Sequence, residues 1–371
     1  MAKRSAPAAP QTMVLPVAAW PSQDQALWAA GTAPASGLRR RRRHAETLRP
    51  SSIELAWKGY GRFLAVLAAQ GPFDPELGPG ERVTFETVAL FFDALRAEGN
   101  KNTTIKARLF HLRTALRIMV PQQDFDWLTR PDGCSLDALL PAEPKDKPFI
   151  PSAVQLLQWG MRLMQAPESG AWPSSANECL QICRDYRNGL IIALLACRAP
   201  RVGSLAKMRL GTNLYRQNGE FWVRLQSAIV KNKREIEYSL PPELTPCIDR
   251  YLSDIRPRLL DPARTDAVWG NGKGGAFTCR SIETMMFRAS LGEFQHSFGP
   301  HIARDALAST LAAADPRNPG LAAVILGITE GVISAHYRKA HQADAARKLQ
   351  ADLREERKRT RVTAAHAFGS R

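Results

Sequence analysis

Between Pro141 and Pro148 the chain reads Pro-Ala-Glu-Pro-Lys-Asp-Lys-Pro. Three prolines in this short stretch remove backbone donors and hold φ near −65°, so neither a helix nor the interior of a sheet continues through it. A chain of 371 residues interrupted in this way is expected to fold as two units. Fully extended, the connector reaches roughly 26 Å at ~3.3 Å per residue.

The segment before the connector is helical by pattern. Residues 1–45 are rich in Ala, Pro, Ser and Gln and close on Arg39, Arg40, Arg41, Arg42 and Arg43. They are expected to form a disordered basic tail, since five adjacent arginines find no neutralising partners within a fold and suit solvent or phosphate. Within 46–140, Leu55, Ala56, Tyr60, Phe63, Leu64 and Leu67 recur at helical spacing after Ser51-Ser52, up to Gly71-Pro72. Thr84 to Arg96 repeats the pattern, as does Asn100 to Met119 with its stripe Ile105, Leu109, Leu112, Leu116 and Ile118. A small helical bundle is expected, with Lys101, Lys106, Arg108 and Arg113 as a candidate DNA-binding cluster on or near its last helix.

After the connector (141–149), residues 150–345 mix helices with a small sheet. Helices are expected near 152–165, 176–198, 242–260, 279–291, 301–314 and 319–326, and strands near 213–217, 220–226 and 235–240, with Asn218-Gly219 as a hairpin turn. The fold class is therefore mainly α with a small β-sheet. The remainder, 346–371, starts as a helix, with Ala345, Leu349 and Leu353 on one side, and becomes strongly basic.

Lys and Arg number 51 against 35 Asp and Glu, a net charge of +16, which favours a polyanionic partner such as nucleic acid. The six cysteines form no CxxC pair and no zinc-like set, so reduced, mostly buried thiols are expected and no metal. No apolar run approaches the ~20 residues of a membrane span, and Lys3-Arg4 with Pro16 makes a poor signal peptide; a cytoplasmic, nucleoid-associated protein is expected. Gly270 to Gly275 lacks the GxxxxGK[ST] pattern and reads as a loop, and HExxH and GxSxG are absent.

Four places in the second unit carry a specific pattern. Ala199-Pro-Arg201-Val-Gly-Ser204-Leu205 ends a helix with an exposed arginine. Lys231-Asn-Lys233 precedes the strand that ends Ser239-Leu240-Pro241. His301-Ile-Ala-Arg304 is an HxxR box, whose i, i+3 spacing sets both side chains on one helix face. Leu326-Gly327-Ile328 lies nine residues before Tyr337. In this order, at intervals of 30, 70 and 33 residues, they resemble the tyrosine site-specific recombinases, the phage-integrase family.

The resemblance implies a helical core-binding domain and a catalytic domain that clamp DNA, with Tyr337 as nucleophile and Arg201, Lys231, His301 and Arg304 as its catalytic partners. Lys233 is the second choice for the lysine and otherwise a DNA contact. It implies cleavage and rejoining through a 3′-phosphotyrosyl link, without metal, ATP or other cofactor, by a recombinase, integrase or recombinase-type transposase of a mobile element. Implied partners are double-stranded DNA, three further copies in a tetramer on paired sites, and accessory or sister recombinases. Two positions depart from the family pattern: Ile328 stands where His or Trp is usual, and Ser204 where an acidic residue is usual. His336 is a candidate substitute donor. These departures keep open a recombinase-derived DNA-binding subunit with little activity, and the shared chemistry keeps open a type IB topoisomerase.

Overall fold

The computed structural model describes residues 13–34, 43–71, 74–143, 149–165, 172–226, 235–315 and 318–326, with a few single residues from Ser334 to Lys358. It divides into two units, Met1–Lys147 and Pro148–Arg371, each with its own apolar core. The class is mainly α with a small sheet, as expected.

The first unit is built on α1 (Ser22–Thr32), α2 (Pro50–Gln70), α3 (Phe85–Ala97) and α4 (Asn102–Met119). Pro50 opens α2 at a position that needs no donor, and Thr84 caps α3 by accepting from Thr87 N. Ile105, Leu109, Leu112, Leu116 and Ile118 are all buried, as the stripe on α4 requires. Leu55 is 44% exposed, against expectation, because the buried stripe of α2 runs through Ala56, Tyr60 and Phe63, about 100° from its neighbour at 55.

The segment read as tail is the larger difference. Residues 13–34 belong to the core: Trp20 packs edge-on against Trp28 and Tyr60, at centroid distances of 5.6 and 4.9 Å. Asp24, fully buried, accepts from Tyr60 Oη at 2.6 Å and pairs with buried Arg82. Two glycines allow the close approach. A Cβ at Gly31 would sit 2.2 Å from the Ile118 carbonyl oxygen, and one at Gly61 would sit 2.3 Å from that of Leu15. Arg43, from the arginine run, donates to the Ala33 carbonyl at 2.7 Å and to that of Ala30, closing the C-terminal end of α1. Arg39 to Arg42 lie outside the described residues.

In the second unit α5 (Ala153–Leu163) crosses α6 (Ala176–Arg198) at Gly160 and Gly189, where a Cβ on either would meet the other's carbonyl within 2.7 Å. The stretch Gly189 to Ala196 is buried throughout, so α6 is the central helix of the core. The short α7 (Val202–Ala206) follows, then β1 (Leu214–Gln217), β2 (Glu220–Leu225) and β3 (Ile236–Ser239), an antiparallel sheet in the order β1-β2-β3. Asn218 and Gly219, with φ of 51° and 85°, form the expected tight hairpin turn. Phe221, Val223 and Leu225 alternate into the core.

The helix expected over 242–260 is divided: a 3₁₀ turn at Pro242–Leu244, α turns at Thr245–Arg250 and Arg256–Leu259, and a π turn at Tyr251–Ile255 between them. Pro257 lacks a donor and crowds the preceding turn, which widens to accommodate it. Helices α8 (Cys279–Phe294), α9 (Ile302–Ala314) and α10 (Pro319–Leu326) complete the unit. The cysteines are free, yet only Cys183 is fully buried and Cys134 is exposed, so most are less buried than expected. Among the described residues no helix is long and apolar enough to cross a membrane.

Candidate functional site

Helix α6 ends abruptly. Ala199 takes the left-handed conformation (φ 42°, ψ 50°), which costs a non-glycine residue roughly 1–2 kcal/mol. The reversal turns the Ala199 carbonyl toward α9, where Arg304 Nη1 donates to it at 2.6 Å, and the other terminal nitrogen of Arg304 donates to the Leu326 carbonyl at the end of α10. One buried guanidinium thus ties three helix ends together. Pro200 follows, and Arg201 then stands at the N-cap of α7, half-buried.

Arg201, Ser204 and Arg304 line one narrow cleft with Arg198, Tyr238 and Leu326. Among the described residues that line it, none is acidic. Burial, and secondly the charge of Arg201, lower the pKa of Arg304 to about 10, so it stays cationic at neutral pH. Leu225 and Ile236 also line the cleft and face one another in register across β2 and β3. Lys231 and Lys233 belong to the segment that joins those strands and lie outside the described residues, as do Ile328 and His336 and most of 345–371.

His301 is the residue before α9 and is exposed, and it is not among the described residues that line the cleft with Arg304. Tyr337 is buried, and its hydroxyl donates to the Asn318 carbonyl at 3.0 Å instead of lining the cleft. Burial, then the charge of Asp315, raise the Tyr337 pKa, which keeps the phenol protonated at neutral pH. In the first unit, Lys106 pairs with Asp137 and Arg113 with Asp126, whereas Lys101 is exposed before α4 and Arg108 is half-buried. Sequence reading missed Arg198 and Tyr238, whose only signal was their closeness in sequence to Arg201 and to the end of the hairpin.

No family model matches the sequence, and no curated protein matches it. Solved structures do. The XerH site-specific recombinase bound to palindromic difH substrate is similar at 15% identity over 81% of each chain, with a TM-score of 0.51. The Tn1549 transposon integrase in complex with circular intermediate DNA is similar at 13% identity over 88% of this chain and 99% of its own, with a TM-score of 0.52. These likenesses show that the chain has the tyrosine-recombinase fold.

Proposed function

We propose that this protein is a site-specific DNA recombinase that cleaves and rejoins strands through Tyr337. The observation that supports it best is the meeting of Arg201 and Arg304, 103 positions apart in sequence, in one cleft whose described residues include no carboxylate. A phosphodiester in attack gathers negative charge on its non-bridging oxygens, and preorganised guanidinium donors stabilise that charge more than they stabilise the ground state.

In this reading the Tyr337 oxygen forms a bond to phosphorus and passes its proton to His301. The bond to the 5′ oxygen breaks, and that oxygen takes a proton from Lys231. The 3′-phosphotyrosyl link keeps the bond energy, so the 5′ hydroxyl of another strand reverses the step with no outside energy. Tyr337 must first give up its hydrogen bond to Asn318 and enter the cleft, and the exposed His301 must turn toward it. The Tn1549 integrase is in complex with circular intermediate DNA and XerH is bound to its palindromic difH substrate, which accords with double-stranded DNA as partner here. Integration or transposition of a mobile element, by a tetramer on paired sites, is the setting that fits such chemistry.

The test is a duplex carrying the DNA that flanks the gene, nicked beside the cleavage point so that the freed strand diffuses away. The reading expects a covalent protein–DNA complex on that duplex and no relaxation of arbitrary supercoiled plasmid. Relaxation would turn the reading to a type IB topoisomerase, and binding without covalent complex to a DNA-binding subunit. Arg201→Ala and Arg304→Ala should each slow trapping about 10²-fold or more, the scale of losing one oxyanion donor. An unchanged rate in either would remove it from the site.

The arginine run should add sequence-independent affinity. Deletion of residues 1–44 is a poor test, because it removes Trp20, Asp24 and Trp28 from the core. Replacing Arg39 to Arg42 with glutamine should instead lower the slope of log affinity against log salt by about 0.9 for each phosphate engaged. A slope equal to that of the wild type would place the run off the DNA.

A further inference from the structure

The geometry points to Arg198 as a third phosphate-binding guanidinium of the arginine cleft, beside Arg201 and Arg304. The inference rests on the recombinase reading for the identity of the phosphate, though not for the presence of the site.

Arg198 is the last residue of α6, and the left-handed turn at Ala199 brings it and Arg201 to the same cleft. Its guanidinium lies over the Tyr238 ring, 5.2 Å from the centroid, which fixes the plane from one side. Its Nη2 donates a long bond of 3.4 Å to the Ser239 carbonyl. The Nε–H is buried and has no acceptor among the described residues. A guanidinium carries five donors, and buried donors are nearly always satisfied. An Nε–H without an acceptor among the described residues, in a cleft lined by two other arginines and by no acidic residue among them, therefore suits an anion.

The charge balance agrees. Burial and then the charge of Arg201 lower the Arg304 pKa, with Asp305 opposing, and Arg198 adds another cation to the same lining. Arg304 has both terminal nitrogens engaged by the Ala199 and Leu326 carbonyls, which limits what it offers a ligand. Arg198 has donors to spare. A tetrahedral oxyanion accepting from Arg201 and Arg198 would relieve the repulsion and satisfy Nε together. The ligand class is a phosphate, either the diester of DNA or free inorganic phosphate, and the two arms of the test separate these sources.

The variant is Arg198→Met, which keeps the apolar stem against Tyr238 and removes every donor; Arg198→Lys restores charge without Nε. Both are taken forward with their thermal midpoints. In the first arm, inorganic phosphate is titrated into the full chain at 150 mM chloride. The dissociation constant should weaken at least fivefold in Arg198→Met and be partly restored in Arg198→Lys. Equal affinity in wild type and Arg198→Met, or no phosphate binding by the wild type, overturns the proposal.

In the second arm, covalent trapping is compared on a nicked phosphodiester and on the same duplex with a neutral methylphosphonate at the cleavage point. Arg198→Met should be slower at least tenfold on the diester and within about twofold of wild type on the methylphosphonate, because a cation matters less when the charge it meets is gone. Equal deficits on both substrates would mean that Arg198 only supports the fold, and overturn the proposal. If wild type traps neither duplex, the recombinase reading fails, while the phosphate titration still decides whether Arg198 holds an anion.

Discussion

Tyr337→Phe is expected to abolish covalent attachment to a nicked duplex while leaving DNA affinity within about twofold of wild type. Only the nucleophilic oxygen is lost, and with it one hydrogen bond to the Asn318 carbonyl. A single neutral hydrogen bond contributes about 0.5–1.5 kcal/mol, so the fold survives. The other five tyrosines are poor replacements. Tyr60 donates to Asp24, Tyr186 to the Cys247 carbonyl, Tyr251 to the Val268 carbonyl and Tyr215 to Glu237. Tyr238 lines the cleft, yet it sits on β3 with its ring beneath Arg198, and burial pushes its phenol far above the ordinary tyrosine range. Gel-resolved trapping at equal protein concentrations measures the effect. Residual covalent complex in the variant would move the nucleophile elsewhere.

Asp24→Ala should destabilise the first unit by about 3–5 kcal/mol, the range for removing one partner of a buried ion pair. Arg82, its side chain 2% exposed, would lose its Asp24 carboxylate and keep its bonds to the Tyr60 hydroxyl at 2.9 Å and to the Leu77 carbonyl. Asp24 is fully buried, and that burial raises its pKa even against the hydrogen bond from Tyr60 and the charge of Arg82. The effect would appear as a separate early transition on heating or in urea, since the two units have separate cores. Loss of Trp20 and Trp28 packing should accompany it, read as a red shift of fluorescence. A variant within about 1 kcal/mol of wild type would mean that residues 13–34 are held by apolar contact alone.

What the sequence disclosed and what it withheld follow a physical line. Helices with a wide apolar stripe, such as α4, and the turn at Asn218-Gly219 announce themselves, because periodicity and positive φ leave marks on residue choice. Helix α1 does not. Its sequence, Ser-Gln-Asp-Gln-Ala-Leu-Trp-Ala-Ala-Gly-Thr, has no strong stripe, and a buried Asp reads as surface until its partners Tyr60 and Arg82 are seen. Such a helix is stabilised by tertiary packing more than by propensity.

At the site, Arg201 and Arg304 were legible as motif residues, and the structure places both in one cleft. Arg198 was not, since its place depends on a left-handed turn at an alanine, a residue that gives no sign of positive φ. Nor does any motif disclose that the Tyr337 hydroxyl rests on a backbone carbonyl.

The central claim is that Tyr337, and no other side chain, carries the DNA. The most direct measurement is to trap the wild-type protein on a nicked duplex, digest the DNA and the protein, and locate the remaining nucleotide by mass spectrometry. The account predicts a single modified peptide, with a 3′-phosphate ester on Tyr337. Attachment to Tyr238, the tyrosine that lines the arginine cleft in the state described, or to any residue other than Tyr337, would contradict it.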